Sequence, residues 1–476
     1  MQDDPFFLSV SELSSRLRAR KVSSADLTEA YLKRIESWNP KINAFITVTR
    51  ETAIEQARQA DREIATGHLR GPLHGIPYAA KDLFATKGIR TTWGSRVFAD
   101  QVPDFDASVI EKLRAAGAVL LGKLSMSELA GGPPGGTVNG PVHNPWELSH
   151  WAHGSSTGPG ACVAAGFSPI ALGTETTASI LNPASACGVV GFRPTYGRIS
   201  RYGAMPLSWT MDKAGPLARR VADCATVFKI LHGADARDRT SVTTPFRFAP
   251  GLRLNGRRIG VVRDEWKRVN EMKTGASYAT ALDVLRQLGA RIEDVDLPAF
   301  PYREVSSFVW QIEGAAVFAP YERNGKLKEG LVSKAKWLGW KAAMLVPAAD
   351  YVRVLQIRHA IGLKTRELFE RFDVLLGAMN PSGARPIEPA METRLKDRPA
   401  FRSDLLTLGN IAGLPGVSVP CGFTHEGLPL GLAFVGAPMA DGRVLEVAHA
   451  FESATPWHAR VPPMTLNAST ADPPVF

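Results

Sequence analysis

The chain has 476 residues, 45% hydrophobic and 21% charged, a globular composition that excludes general disorder. The net charge of +10 arises from 56 basic and 46 acidic residues that interleave, as in Lys33-Arg34-Ile35-Glu36, so no nucleic-acid partner is expected. No apolar run approaches the roughly 20 residues that span a bilayer, and the acidic start Met1-Gln2-Asp3-Asp4 is unlike a signal peptide, so a cytoplasmic protein with no membrane partner is expected.

In chain order, Ser23-Ser24-Ala25-Asp26 caps a helix carrying Leu27, Tyr31, Leu32 and Ile35 on one face and ending near Asn39-Pro40. Thr52 to Ala65 is a second amphipathic helix, stopped by Gly67. A turn from Gly71 leads into a short buried strand that ends at Lys81. Ser108 to Ala116 is predicted helical, and Ala118-Val119-Leu120-Leu121-Gly122 is a buried strand. Helix at Val221–His232, strand at Ile259–Val262, helix at Tyr278–Leu288 and strand near Ile292 continue the alternation of an α/β sheet layered by helices. Residues 300–400 break that rhythm with long helical segments holding Trp310, Trp337 and Trp340, a helical excursion of one domain spanning 1–476. The four cysteines, Cys162, Cys187, Cys224 and Cys421, share no C-x-x-C spacing and are expected to be buried free thiols.

The most informative stretch is Leu148 to Phe192. It holds one charged side chain, Glu175, where the average composition would place about nine. Small residues let backbones approach closely and expose N–H groups, which suits either a tight core or a buried polar site. Two hydroxyl clusters lie within it, His153-Gly-Ser-Ser-Thr-Gly158 and Gly173-Thr-Glu-Thr-Thr-Ala-Ser-Ile180. A nucleophilic serine needs a base and donors for an oxyanion.

Three sources of that chemistry present themselves. Gly154-Ser-Ser-Thr-Gly158 satisfies G-x-S-x-G with Ser156 as nucleophile, but residues 144–153 do not read as the buried strand the motif requires. His143, Glu147, His150 and His153 could face one metal ion, yet Pro145 interrupts them and no H-E-x-x-H is present, so no metal or cofactor is expected. Lys81, at the end of its strand, is a base if apolar surroundings strip its charge, and an ordinary surface lysine if they do not.

These segments resemble the amidase signature family. The likeness runs from Gly75-Ile76-Pro77 and Lys81-Asp82 through Asn144-Pro145-Trp146, Gly154-Ser155-Ser156, Gly173-Thr174-Glu175 and Ser179-Ile-Leu-Asn-Pro-Ala184. It continues through Cys187 to Arg201, Met211 to Arg219 and Asn410 to Gly422, nearly the full chain. The resemblance implies an α/β/α fold, a central mixed, twisted sheet covered by helices on both faces. It also implies a catalytic triad of Lys81, Ser155 and Ser179: Lys81 as base, Ser155 after a cis peptide bond as relay, and Ser179 as nucleophile. Ser156 supports the network, and the backbone N–H groups of Thr176, Thr177, Ala178 and Ser179 form the oxyanion hole.

The sequence departs from the family where Thr177-Ala178 replaces the usual glycine pair and Leu181 a common arginine. His153, Thr157 and Pro159 stand where glycine, glycine and serine are commoner. If Ala178 takes a positive φ, it carries strain glycine would not. The expected activity is that of a free-standing amidohydrolase, monomer or homodimer, cleaving a small-molecule amide and also aryl ester, anilide or carbamate (urethane) bonds. The helical excursion and Trp151, His153, Trp209 and Trp310 are expected to contribute to the substrate pocket, favouring apolar or aryl substrates. Two alternatives remain: the A subunit of a glutamine-dependent tRNA amidotransferase, and a non-catalytic binding protein on the same scaffold.

Overall fold

Eleven strands join into one sheet in the computed structural model, which describes residues 4–131, 137–331, 333–387 and 401–463. In chain order the sheet takes Phe45–Val48 (β1), Pro77–Lys81 (β2) and Val119–Leu124 (β3). A separate antiparallel ribbon follows, His143–Asn144 (β4) with Glu147–Trp151 (β5). Ile170–Glu175 (β6), Val190–Arg193 (β7), Lys213–Ala218 (β8), Arg258–Val262 (β9) and Arg291–Val295 (β10) return to the main sheet. Val374–Met379 (β11), Gly416–Phe423 (β12) and Pro429–Gly436 (β13) complete it, in the spatial order β1-β3-β2-β6-β8-β7-β12-β13-β11-β9-β10. Parallel pairs (β2 with β3 and β6, β9 with β10 and β11) mix with antiparallel ones, and helices cover both faces. Strands buried on both faces read as continuous apolar runs, which is why Val119–Leu124 and Val374–Met379 show no alternation.

The predicted elements form with small shifts. Ser23 Oγ accepts the Asp26 N–H at 2.9 Å and caps a helix over Ser24–Ile42. Pro40 does not end it: proline in the last turn forfeits a single N–H, and the Asn43 N–H closes that turn on the Asn39 carbonyl at 2.7 Å. Later helices lie at Arg50–Ala65, Ser108–Ala115, Val221–Leu231 and Gly275–Gln287.

The helical excursion consists of Tyr302–Arg323, Lys326–Gly330, Lys334–Ala343 and Ala348–Arg371. It ends earlier than expected, because Val374–Met379 is a fully buried strand between β13 and β9. The far end of the expected span, 388–400, lies outside the described residues. No helix among the described residues is long and apolar enough to cross a membrane.

The sheet places the chemistry by its order. Strands β2 and β6 are parallel neighbours, so Lys81 at the end of one arrives beside Thr174 at the end of the other. Two helices, Thr157–Ala164 and Leu181–Cys187, start from the loops after Ser156 and Ser179. Gly173 allows this crowding, since a Cβ there would fall 2.9 Å from Ser156 Oγ.

Candidate active site

Lys81 is fully buried and surrounded by hydroxyls. Its Nζ donates to Ser155 Oγ at 2.8 Å, Thr174 Oγ1 at 2.9 Å and Ser156 Oγ at 3.1 Å. Burial strips the ammonium of water and brings its pKa down to about 7, against the opposing pull of Asp212 and Glu175. The hydroxyls are not equivalent. Ser156 Oγ donates its hydrogen to the Thr174 carbonyl at 3.1 Å and accepts the Thr174 N–H at 3.3 Å, so it only receives from the lysine. That leaves Ser155 Oγ and Thr174 Oγ1 as the hydroxyls with a hydrogen available to a neutral Lys81. The Gly154–Ser155 peptide bond is cis, as the resemblance implied.

Ser179 comes to the same place through the main chain, its carbonyl accepting the Ser156 N–H at 3.2 Å. Its side chain is 7% exposed and makes no hydrogen bond to Ser155 among the described residues. The loop before it tips outward: Thr177 is exposed and Ala178 half-buried between buried Thr176 and Ser179. Among the described residues the N–H groups of Thr176, Thr177, Ala178 and Ser179 bond no protein acceptor, which leaves a run of donors beside the Ser179 hydroxyl. Ala178 has φ +69, the left-handed conformation for which glycine is the usual residue.

Three supports were missed at the sequence level. Glu175, the lone charge of Leu148–Phe192, is the main one. Its Oε2 accepts the N–H groups of Ile180 at 2.8 Å and Leu181 at 3.0 Å, and its Oε1 meets Arg193 Nη1 at 2.7 Å, both side chains fully buried. Burial works to raise the carboxyl pKa, but Arg193, Lys213 and the Leu181 N–H outweigh it and hold the group below its ordinary value. A single charge in an uncharged stretch was the available signal, because a carboxylate there must find a partner or lose its charge. Asp212 is the second support, accepting from Thr176 Oγ1 and from the N–H groups of Leu207 and Ser208. Thr174 is the third, as the further hydroxyl on Lys81.

The four residues expected in the pocket separate. Trp209, 61% exposed, walls a cavity of about 450 Å³ together with Leu83, Ala130, Met205 and Leu207, and this cavity reaches Thr174 and Thr176. Trp151 instead stacks on His153, ring centroids 5.0 Å apart, and His153 is buried. Trp310 packs half-buried against the core. The G-x-S-x-G alternative fails locally: the strand before Gly154 belongs to a partly exposed two-stranded ribbon, and Ser156 is committed to Thr174. The histidines of the metal alternative are also dispersed, His143 on the Leu148 carbonyl, His150 on Ser149 and His153 on Asn182. Among the described residues no group of three or more His, Cys, Asp or Glu side chains could hold a metal ion. All four cysteines are buried and free.

Residues 26–445 match the family model described as Amidase. The chain belongs to the amidase signature family. A hydrolase of this family acts on the C–N bonds of linear amides. The chain is 38% identical to the A subunit of the glutamyl-tRNA(Gln) amidotransferase of Methylococcus capsulatus, over 95% of this chain and 98% of that protein. The solved peptide amidase of Stenotrophomonas maltophilia superposes with a TM-score of 0.83 at 32% identity, covering 96% and 98% of the two chains. The solved A subunit of the Thermotoga maritima glutamyl-tRNA(Gln) amidotransferase gives 0.78 at 29% identity, covering 95% and 96%.

The Methylococcus relative corrects three expectations. A free-standing amidohydrolase of anilides, esters or carbamates is not what that end-to-end relative is named for; it is named as one subunit of an enzyme of glutamyl-tRNA(Gln). The expectations of no nucleic-acid partner and of a monomer or homodimer are overturned with it. Interleaved charge speaks only against a basic arm on this chain itself, and the family's motifs by themselves do not separate a lone amidase from a subunit.

Proposed function

We propose that this chain is the glutamine-hydrolysing A subunit of a tRNA-dependent amidotransferase, with Ser179 as nucleophile, Ser155 as relay and Lys81 as base. Neutral Lys81 accepts the Ser155 proton while Ser155 takes that of Ser179, whose Oγ bonds the side-chain amide carbon of glutamine. The N–H groups of Thr176 to Ser179 receive the developing oxyanion. On collapse the C–N bond breaks, the proton returns through Ser155 to the leaving nitrogen, and ammonia departs from a glutamyl ester on Ser179. Water, deprotonated by the same relay, cleaves that ester to glutamate and restores Ser179. The ammonia is then consumed by a partner subunit that amidates the glutamyl group on tRNA, which places the protein in the cytoplasm.

The observation that carries the chemistry is Lys81, dry and within 2.8 Å of a hydroxyl able to protonate it. The end-to-end likeness to an amidotransferase subunit supports the choice of glutamine. The test uses the chain together with the proteins that co-purify with it, supplied with amide-¹⁵N glutamine and glutamyl-tRNA(Gln). The expected result is ¹⁵N in the amide of glutaminyl-tRNA, lost in Ser179→Ala. Unlabelled product, from preparations whose Ser179 still reacts with a sulfonyl fluoride, would refute glutamine as the donor.

A further inference from the structure

We propose that His153 is a positioning residue for the relay serine, a neutral imidazole that fastens the Gly154–Ser155 loop to the helix that follows the nucleophile; this rests on the Lys81–Ser155–Ser179 reading above. His153 immediately precedes the cis peptide bond and is 4% exposed. Both ring nitrogens are occupied. The Arg385 N–H donates to Nε2 at 3.3 Å, so Nε2 is the acceptor and Nδ1 carries the hydrogen, which it gives to Asn182 Oδ1 at 3.0 Å. Asn182 lies three residues beyond Ser179 in the helix Leu181–Cys187, and its carbonyl accepts from Asn380 Nδ2 at 3.1 Å. The other ring face is covered by Trp151, whose N–H donates to the Arg385 carbonyl at 2.7 Å.

His153 is thus the point where the relay loop, the helix after the nucleophile and the 380–387 segment meet. Its φ of +59 is a conformation that glycine adopts without strain. A strained histidine is held in place by contacts that glycine could not make. Burial also pushes its pKa down to about 4, opposed by the Asn182 bond, so the ring stays neutral across the working range. With both nitrogens occupied, His153 has no polar atom left for a substrate; its effect reaches the reaction through Ser155.

The test measures the rate at which a sulfonyl fluoride labels Ser179, which needs no knowledge of the natural substrate. His153→Phe keeps a ring on Trp151 but loses both hydrogen bonds, and should slow labelling by about tenfold to a hundredfold with near-UV circular dichroism unchanged. His153→Asn, whose amide can still donate to Asn182 and which tolerates positive φ, should recover most of the rate. Asn182→Ala should slow labelling as His153→Phe does, and the double variant should be no slower than either alone. Wild-type labelling in both single variants, or strictly multiplicative losses in the double, would overturn the assignment. Should His153→Phe fail to fold, Asn182→Ala and the ¹⁵N shifts of the His153 ring decide, an Nε2–H tautomer being the overturning result. Labelling that survives Ser179→Ala would remove the nucleophile assignment instead and leave the tautomer to be read independently.

Discussion

Replacing Glu175 with glutamine keeps the side chain's size and removes its charge at the point where the nucleophile loop is fastened. The carboxylate receives three donors, the N–H groups of Ile180 and Leu181 on one oxygen and Arg193 Nη1 on the other. An amide has only one acceptor oxygen, so its NH₂ must face either the two backbone N–H groups or the guanidinium. Arg193 has little room to turn elsewhere: its Nε is taken by the Leu414 carbonyl at 3.0 Å, and its buried Nη2 finds no acceptor among the described residues. Breaking one side of a fully buried pair costs about 3–5 kcal/mol, a large share of the about 5–15 kcal/mol that holds a domain folded. Urea denaturation should show the unfolding free energy falling by that amount through a lower midpoint at unchanged slope, and Ser179 labelling should slow as its loop loosens. Adding Arg193→Met should restore part of the loss, because the stranded guanidinium is then gone. A single-variant cost below about 1 kcal/mol, the value of an exposed pair, would refute the view that this buried bridge clamps the loop.

Three further outcomes follow from the same geometry. With the Lys81 pKa at about 7, roughly a tenth of the base is neutral at pH 6 and roughly nine-tenths at pH 8, so kcat/KM should rise about tenfold across that interval; an inflection near pH 10 would place the lysine in water. Ala178→Gly should relieve a left-handed alanine worth about 1–2 kcal/mol, offset by about 0.4–1 kcal/mol of added freedom in the unfolded chain, giving an unchanged or slightly higher Tm and faster labelling; a clear loss of stability would contradict the strain. Lys81, Lys123 and Lys336 have pKa values brought down, chiefly by burial, to about 7, 8 and 7. Between about pH 8 and 10 these lysines are protonated in the unfolded chain and largely neutral in the folded one, so their own contribution to stability rises with pH, against the opposite contribution of the four buried cysteines, whose thiols burial pushes up. Asp223 and Glu452, raised by burial to about 7 and 8, oppose this only below that window, where the folded state is the one holding extra protons. Lys123→Met should remove that lysine's share, so that its urea midpoint climbs less, or falls more, from pH 8 to 10 than that of the unsubstituted chain; an identical pH dependence in the two would count against a buried, neutral Lys123.

Much of the molecule was legible before any coordinates. The ordered motifs from Gly75 to Gly422 carried the family, and alternating periodicity located most helices and strands. Thr177-Ala178 in place of two glycines pointed to a strained loop, and φ at Ala178 bears that out. The end of the helical excursion was misplaced because a strand buried on both faces, Val374–Met379, has no period to distinguish it from a buried helix turn. The expected pocket residues were chosen as aromatic side chains near the signature, and chain proximity says little about which face a tryptophan covers: Trp209 reaches the cavity while Trp151 covers a histidine.

By itself the sequence determined the family and the order in which the reactive groups arrive, because motif spacing is a property of the covalent chain. Tertiary structure alone decided that the amine at 81 is dry, that its hydroxyl partner lies 74 positions away, and that Glu175 finds Arg193. Desolvation and hydrogen bonding depend on which distant segments close over a group, and the β2–β6 pairing and the two helices that follow it make those closures.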